Sequence, residues 1–216
     1  MYRSGSGCSN TGFSTVVAHE EGHWANVIYN SGNGSDGFGE GMADVWSMYI
    51  YDTPIVGEGF FTSGGYIRTG TNTRQYCGDG NNGCYGQVHT DGEVLMGAAW
   101  KVRVNLNNTL GNTAGDLTAD TLMLAWMNAY NDGQILSIIE EHWLVLDDDN
   151  GNIGDGTPIR PWTENSVAAI YLGSYKSNRH FGYDSTTNMS ILGRGPETWH
   201  IVWYSGKKRF IAKDTD

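Results

Sequence analysis

Basic residues are scarce in this chain of 216 amino acids: 13 Lys and Arg stand against 24 Asp and Glu, for a formal charge of −11. Such a deficit argues against a sequence-independent nucleic-acid binder, which needs a cationic face for phosphates. Long apolar runs are missing as well. Stretches such as residues 135–139 fall far short of the roughly 20 residues that cross a bilayer, so no membrane span is expected. Proline is rare, with 4 residues against 31 glycines, which points to many tight turns between short elements. Cysteine is limited to three, an odd number. Cys77 and Cys84 lie in the polar run Gln75–Gly86 and could close a small disulfide loop. Neither sits in a CxxC pair, which argues against zinc–thiolate ligation. Cys8 is left either as a free thiol or as half of a bridge whose partner is missing from the chain. No apolar leader follows Met1, so the chain reads as cytosolic or as a fragment of something exported. Against these shortages, 39% hydrophobic and 12% aromatic content is too rich for disorder. The length suits one large domain or two small ones, with a real core.

The composition changes near Pro158. Residues 1–158 hold 5 basic side chains against 19 acids, a net of −14, whereas residues 159–216 hold 8 against 5, a net of +3. The second stretch has no sustained helical or alternating period and ends in Lys207, Lys208, Arg209 and Lys213. It reads as an atypical basic extension, either poorly ordered or a small additional domain. Within 1–158 the periodicity predicts five helices. The first is capped by Ser14 or Thr15 and ends near Asn30. The others run from Gly39 to before Pro54, from Gly92 to Leu106, from the Asp116/Thr118 region to Ala129, and from Ile135 to Leu146. Between the second and third lies a Gly-rich excursion of about forty residues, too long for a plain connection and read as a functional or metal-braced loop. The fold class expected is mainly α, of the α+β kind, with little strand.

His19-Glu20-Glu21-Gly22-His23 forms an HExxH motif on the first helix. Positions i and i+4 stack on one helical face, so both imidazoles can reach one Zn²⁺. Glu20, beside the first ligand, is placed to take a proton from a metal-activated water. A catalytic zinc needs a third protein ligand, and Glu40, opening the second helix, is well placed to supply it. Asp44 follows one turn on and can accept the free N–H of a ligand histidine, fixing its tautomer. The bland alternatives are two stacked core histidines, a first-turn acid favoured by the helix dipole, and a solvated carboxylate.

These segments resemble the gluzincin metalloproteases, especially thermolysin-like and fungalysin-like secreted peptidases. The matches are Val17-Ala18-His19-Glu20-Glu21-Gly22-His23, Gly39-Glu40-Gly41-Met42-Ala43-Asp44, and Val88-His89-Thr90-Asp91-Gly92-Glu93. The resemblance covers about residues 7–158. It implies a zincin-like helical domain in which His19, His23 and Glu40 bind zinc, Glu20 is the general base, and His89 hydrogen-bonds the developing oxyanion. It also implies a protein or peptide substrate, an extracellular location, and a β-rich N-terminal domain or pro-segment that this chain would lack. Thermolysin-like enzymes orient the histidine corresponding to His89 with an upstream acid; here that region is Cys84-Tyr85-Gly86-Gln87, and Tyr76, Tyr85 or Asp79 stand as substitutes.

Asp147, Asp149, Asn150, Asn152 and Asp155 crowd hard oxygens onto a turn-forming segment. Two readings stand, a Ca²⁺ site or a solvated acidic loop. For the chain as a whole, a zinc endopeptidase competes with a zinc-stabilised helical module of little or no activity, and with an aminopeptidase of the wider gluzincin group. His142, His180 and His200 receive no role.

Overall fold

A computed structural model describes residues 10–31, 37–79, 83 and 85–147, together with the strand segments 183–184, 189–194, 199–204 and 207–213. The chain divides into two compact units, residues 1–74 with 82–135, and residues 75–81 with 136–216. The composition break at Pro158 lies outside the described residues.

The described part is mainly helical. Helices α1 (Ser14–Ile28), α2 (Gly37–Tyr51), α3 (Val88–Leu110) and α4 (Asn112–Met127) belong to the first unit, and α5 (Ile138–Asp147) to the second. Helix α2 is the centre of the first unit and packs against both α1 and α3, while α4 packs on α3. Its position between two neighbours explains why α2 is buried almost all round, with Phe38, Met42, Val45 and Met48 at the core. It also carries Glu40 and Asp44 into the interior. Charges are rarely buried without a partner, so their presence there calls for one.

Two glycine contacts set how closely these helices approach. A Cβ on Gly22 would lie 2.7 Å from the Cα of Ala43, so the fourth residue of the HExxH motif is the point where α1 rests on the α2 backbone. On the other side of α2, a Cβ on Gly41 would meet the carbonyl oxygen of Gly92 at 2.7 Å, and one on Gly92 would meet the Gly41 nitrogen at 2.6 Å. Main chain therefore touches main chain on both flanks of α2.

The α1 start differs from the expected cap. Phe13 is the N-cap and no side chain bonds the helix end. Thr15 Oγ1 instead accepts the Gly57 N–H at 2.9 Å, and the Ser47 hydroxyl donates to the Thr15 carbonyl at 2.7 Å. These bonds fasten α1 to α2 and to the Gly-rich excursion. Within that excursion β1 (Ile55–Val56) pairs antiparallel with β2 (Arg68–Thr69), Val56 opposite Arg68.

In the second unit Asp79 accepts the Ser137 N–H at 2.7 Å and the Ser137 hydroxyl at 2.6 Å, just ahead of α5, and the Tyr76 hydroxyl also donates to it. Cys77 is disulfide-bonded; Cys84 and Cys8 both lie outside the described residues. The strands β3 (Tyr183–Asp184), β4 (Met189–Arg194), β5 (Trp199–Tyr204) and β6 (Lys207–Lys213) form an antiparallel sheet in the order β3-β4-β5-β6. No sustained alternating period announces this sheet in the sequence. Pairing slips between Ile191 and Gly193 and again between Trp199 and His200.

Candidate metal centre

His19 and His23 project from one face of α1 with ring centroids 4.8 Å apart and planes at 87°. Glu40, in the first turn of α2, meets them. Its Oε2 lies 3.2 Å from His19 Nε2 and 3.6 Å from His23 Nε2. One ligand atom from each of these three residues falls within 4.8 Å of the others, a group able to hold a metal ion. His89, in the first turn of α3, brings a third imidazole to the same oxygen, with Nε2 at 3.3 Å.

Glu40 Oε2 is buried, and no hydrogen bond reaches it. Three ring nitrogens face it at ion-pair distance, none aligned to donate. An oxygen so placed is costly unless a charge or donor compensates it. The donor set, two imidazole nitrogens and a carboxylate oxygen, fits a divalent metal of intermediate softness.

Behind the group lies a fully buried carboxylate. Asp44 Oδ1 contacts His19 Nδ1 at 2.7 Å, which leaves Nε2 as the ring atom facing Glu40. Asp44 is itself gripped by Arg68, whose Nε donates to Oδ2 at 2.6 Å and whose Nη2 donates to Oδ1 at 2.8 Å. The bidentate fork fixes the carboxylate plane, and the carboxylate fixes the ring. Arg68 stands there because β1 packs against α2 and pairs with β2, bringing Arg68 within reach of Asp44.

The titration of these groups follows from the same contacts. Burial alone would push His19 down, but the bond to Asp44 and the nearby Glu40 carboxylate outweigh it and raise its pKa from 6.5 to about 9. Burial would likewise push Glu40 up, yet the facing imidazoles hold it well below the usual carboxylate range. Asp44 also sits below its ordinary value, its desolvation overcome by His19 and Arg68. Without metal, then, the centre is an ion pair between a protonated His19 and two carboxylates.

Glu20 is exposed, on the α1 residue next to His19. His89 has a side chain 42% exposed, and its Nδ1 is bonded to Gln87 at 2.6 Å. Asp79, one of the residues considered for that role, is engaged by Ser137. Of the acidic segment, Asp147 is buried at the end of α5, whereas Asp149, Asn150, Asn152 and Asp155 lie outside the described residues.

Arg68 and Gln87 escape a reading of the sequence. Arg68 carries one available signal: it is among only five cations in residues 1–158, and a buried Asp44 demands one. Gln87 directly precedes the Val88-His89-Thr90 start of a helix, a position where a side-chain acceptor is useful. No family model matches the chain, and comparison with curated proteins and with solved structures also returns no match.

Proposed function

We propose that the protein is a zinc-dependent endopeptidase with His19, His23 and Glu40 as metal ligands and Glu20 as general base. The observation that carries this reading is the convergence of three side chains on a buried oxygen lacking a hydrogen bond. A tetrahedral centre with bonds of about 2.0–2.1 Å has edges of about 3.3 Å. The spacings of 3.2 Å and 3.6 Å from Glu40 to the two imidazoles are of that size. Zn²⁺ bound there would polarise a peptide carbonyl and acidify a water.

The chain's own residues take the remaining work. Asp44 holds the His19 tautomer, and Arg68 holds Asp44, so the ligand does not rotate away. Glu20, adjacent to a ligand yet exposed, accepts the proton of the attacking water and returns it to the leaving amine. His89, on the neighbouring helix, offers an N–H to the carbonyl oxygen as negative charge gathers on it.

The test is hydrolysis of an unfolded protein substrate by the zinc-loaded chain, with and without chelator, beside Glu20→Gln. The variant is expected to keep one zinc per chain and lose at least about 100-fold in turnover, the scale of a general base. Equal turnover by parent and variant, or zinc binding by a parent with no hydrolysis, would sink the reading; the latter result would leave a zinc-stabilised helical module.

A further inference from the structure

We infer that Gln87 positions His89 and decides which of its ring nitrogens carries the proton. The consequence for catalysis rests on the peptidase reading; the proton placement does not. Gln87 is the N-cap of α3, in extended backbone. Its Oε1 accepts the Thr90 N–H at 2.9 Å and the Thr90 hydroxyl at 3.3 Å. A backbone N–H can only donate, so the oxygen end of the amide is committed to the helix start. The nitrogen end of the same amide then faces His89 Nδ1 at 2.6 Å.

An amide NH₂ has protons to give and no lone pair to offer. Nδ1 must therefore accept, and a neutral imidazole that accepts at Nδ1 carries its hydrogen on Nε2. Nε2 is the ring atom on the Glu40 side, 3.3 Å from Oε2 and beside the ligand group. The order runs from main chain to site: Thr90 N–H sets the amide, the amide sets Nδ1, and Nδ1 sets Nε2 as a donor. A donor is what a carbonyl oxygen gaining charge requires. A carboxylate at position 87 would instead accept a hydrogen from Nδ1, and its charge would favour a ring protonated at both nitrogens. Because the His89 ring is partly in water, both neutral tautomers are open to it without such a partner.

The test uses the full zinc-loaded chain with ¹⁵N-labelled histidine, reading the two-bond proton–nitrogen pattern of His89. The parent is expected to show hydrogen on Nε2 and a lone pair on Nδ1. Gln87→Glu keeps an acceptor for Thr90 and is expected to place a hydrogen on Nδ1, where the parent has a lone pair. Zinc content should be unchanged. Gln87→Ser keeps the helix cap without the amide donor. It is expected to give a mixture of both patterns and a loss in kcat of roughly 2- to 10-fold at unchanged KM, which separates positioning from capping. Hydrogen on Nδ1 in the parent, or a His89 pattern unmoved in both variants, overturns the inference. A parent with the expected pattern and switch but no hydrolysis supports the role of Gln87 and overturns the peptidase reading instead.

Discussion

Two charged clusters occupy the first unit, and they are built on opposite plans. At one, Arg103 of α3 is 3% exposed and its guanidinium is shared among three carboxylates. Nε meets Asp52 at 3.2 Å, Nη1 meets Asp120 at 2.8 Å and Nη2 meets Asp116 at 3.0 Å, with the Tyr49 ring beneath at 4.8 Å. The cation is covalently part of the chain and every face of it is used. At the other, Glu40 presents one buried oxygen to three imidazoles and takes a hydrogen bond from none. Both clusters bury charge between helices, but only the first is complete in its own hydrogen bonds. The contrast teaches that buried charge alone does not mark a functional site. The informative feature is a donor set whose geometry the chain does not itself satisfy.

The contrast breaks if substitutions at the two clusters have the same kind of effect. Glu40→Ala is expected to lower zinc affinity by more than about 100-fold, beyond what loss of an outer partner costs, as measured by competition with a calibrated chelator. Arg103→Met should leave that affinity unchanged and instead lower stability by about 2–3 kcal/mol in chemical denaturation. This is less than the loss from a fully buried pair, because Asp52 and Asp120 can return to water. Asp44→Asn is expected to fall between them, costing about 10- to 100-fold in zinc affinity because the His19 tautomer loses its charged anchor. A result like that of Arg103→Met would show Asp44 to be a packing residue.

The smallest effect sharpens the contrast through pH. In the metal-free protein His19 has its pKa raised from 6.5 to about 9, so its stabilising contribution is complete below pH 6.5 and is lost as pH rises through about 9. Glu40, shifted the other way, contributes above its ordinary value of 4.5 and loses that contribution on acidification. Thermal midpoints of chelator-treated protein should therefore fall from pH 6.5 to 9. Zinc affinity should rise over the same range, because the metal must displace the His19 proton. Parallel trends in the two measurements would refute the protonated resting state of His19.

Much of the helical framework was legible because helices bury their sides with a period the sequence displays. The HExxH segment and the Glu40–Asp44 turn were visible as local patterns, His89 only through its likeness to a family segment, and the structure brings His19, His23, Glu40 and His89 to one point. Helix ends were less legible. Helix α3 starts at Val88 instead of Gly92 because Gln87 caps it through a side chain that helix periodicity does not register. The Ser14/Thr15 cap failed because tertiary bonds to Gly57 and Ser47 engage Thr15. Arg68 was out of reach for a different reason: its contact with Asp44 spans 24 residues through a two-residue strand pair, and no spacing encodes that. The sheet of β3–β6 stayed hidden because residues 159–216 show no sustained alternation of apolar and polar residues.

The glycine contacts at Gly22, Gly41 and Gly92 separate two properties that most small proteins keep entangled. Where backbone rests on backbone, the gap between helices is set by atomic radii and not by the bulk of interior side chains. Phe38, Met42 or Met48 can be exchanged for residues of similar volume, and thermal tolerance altered, while the span from His19 to Glu40 stays as it is. Core volume and ligand spacing thus rest on different atoms.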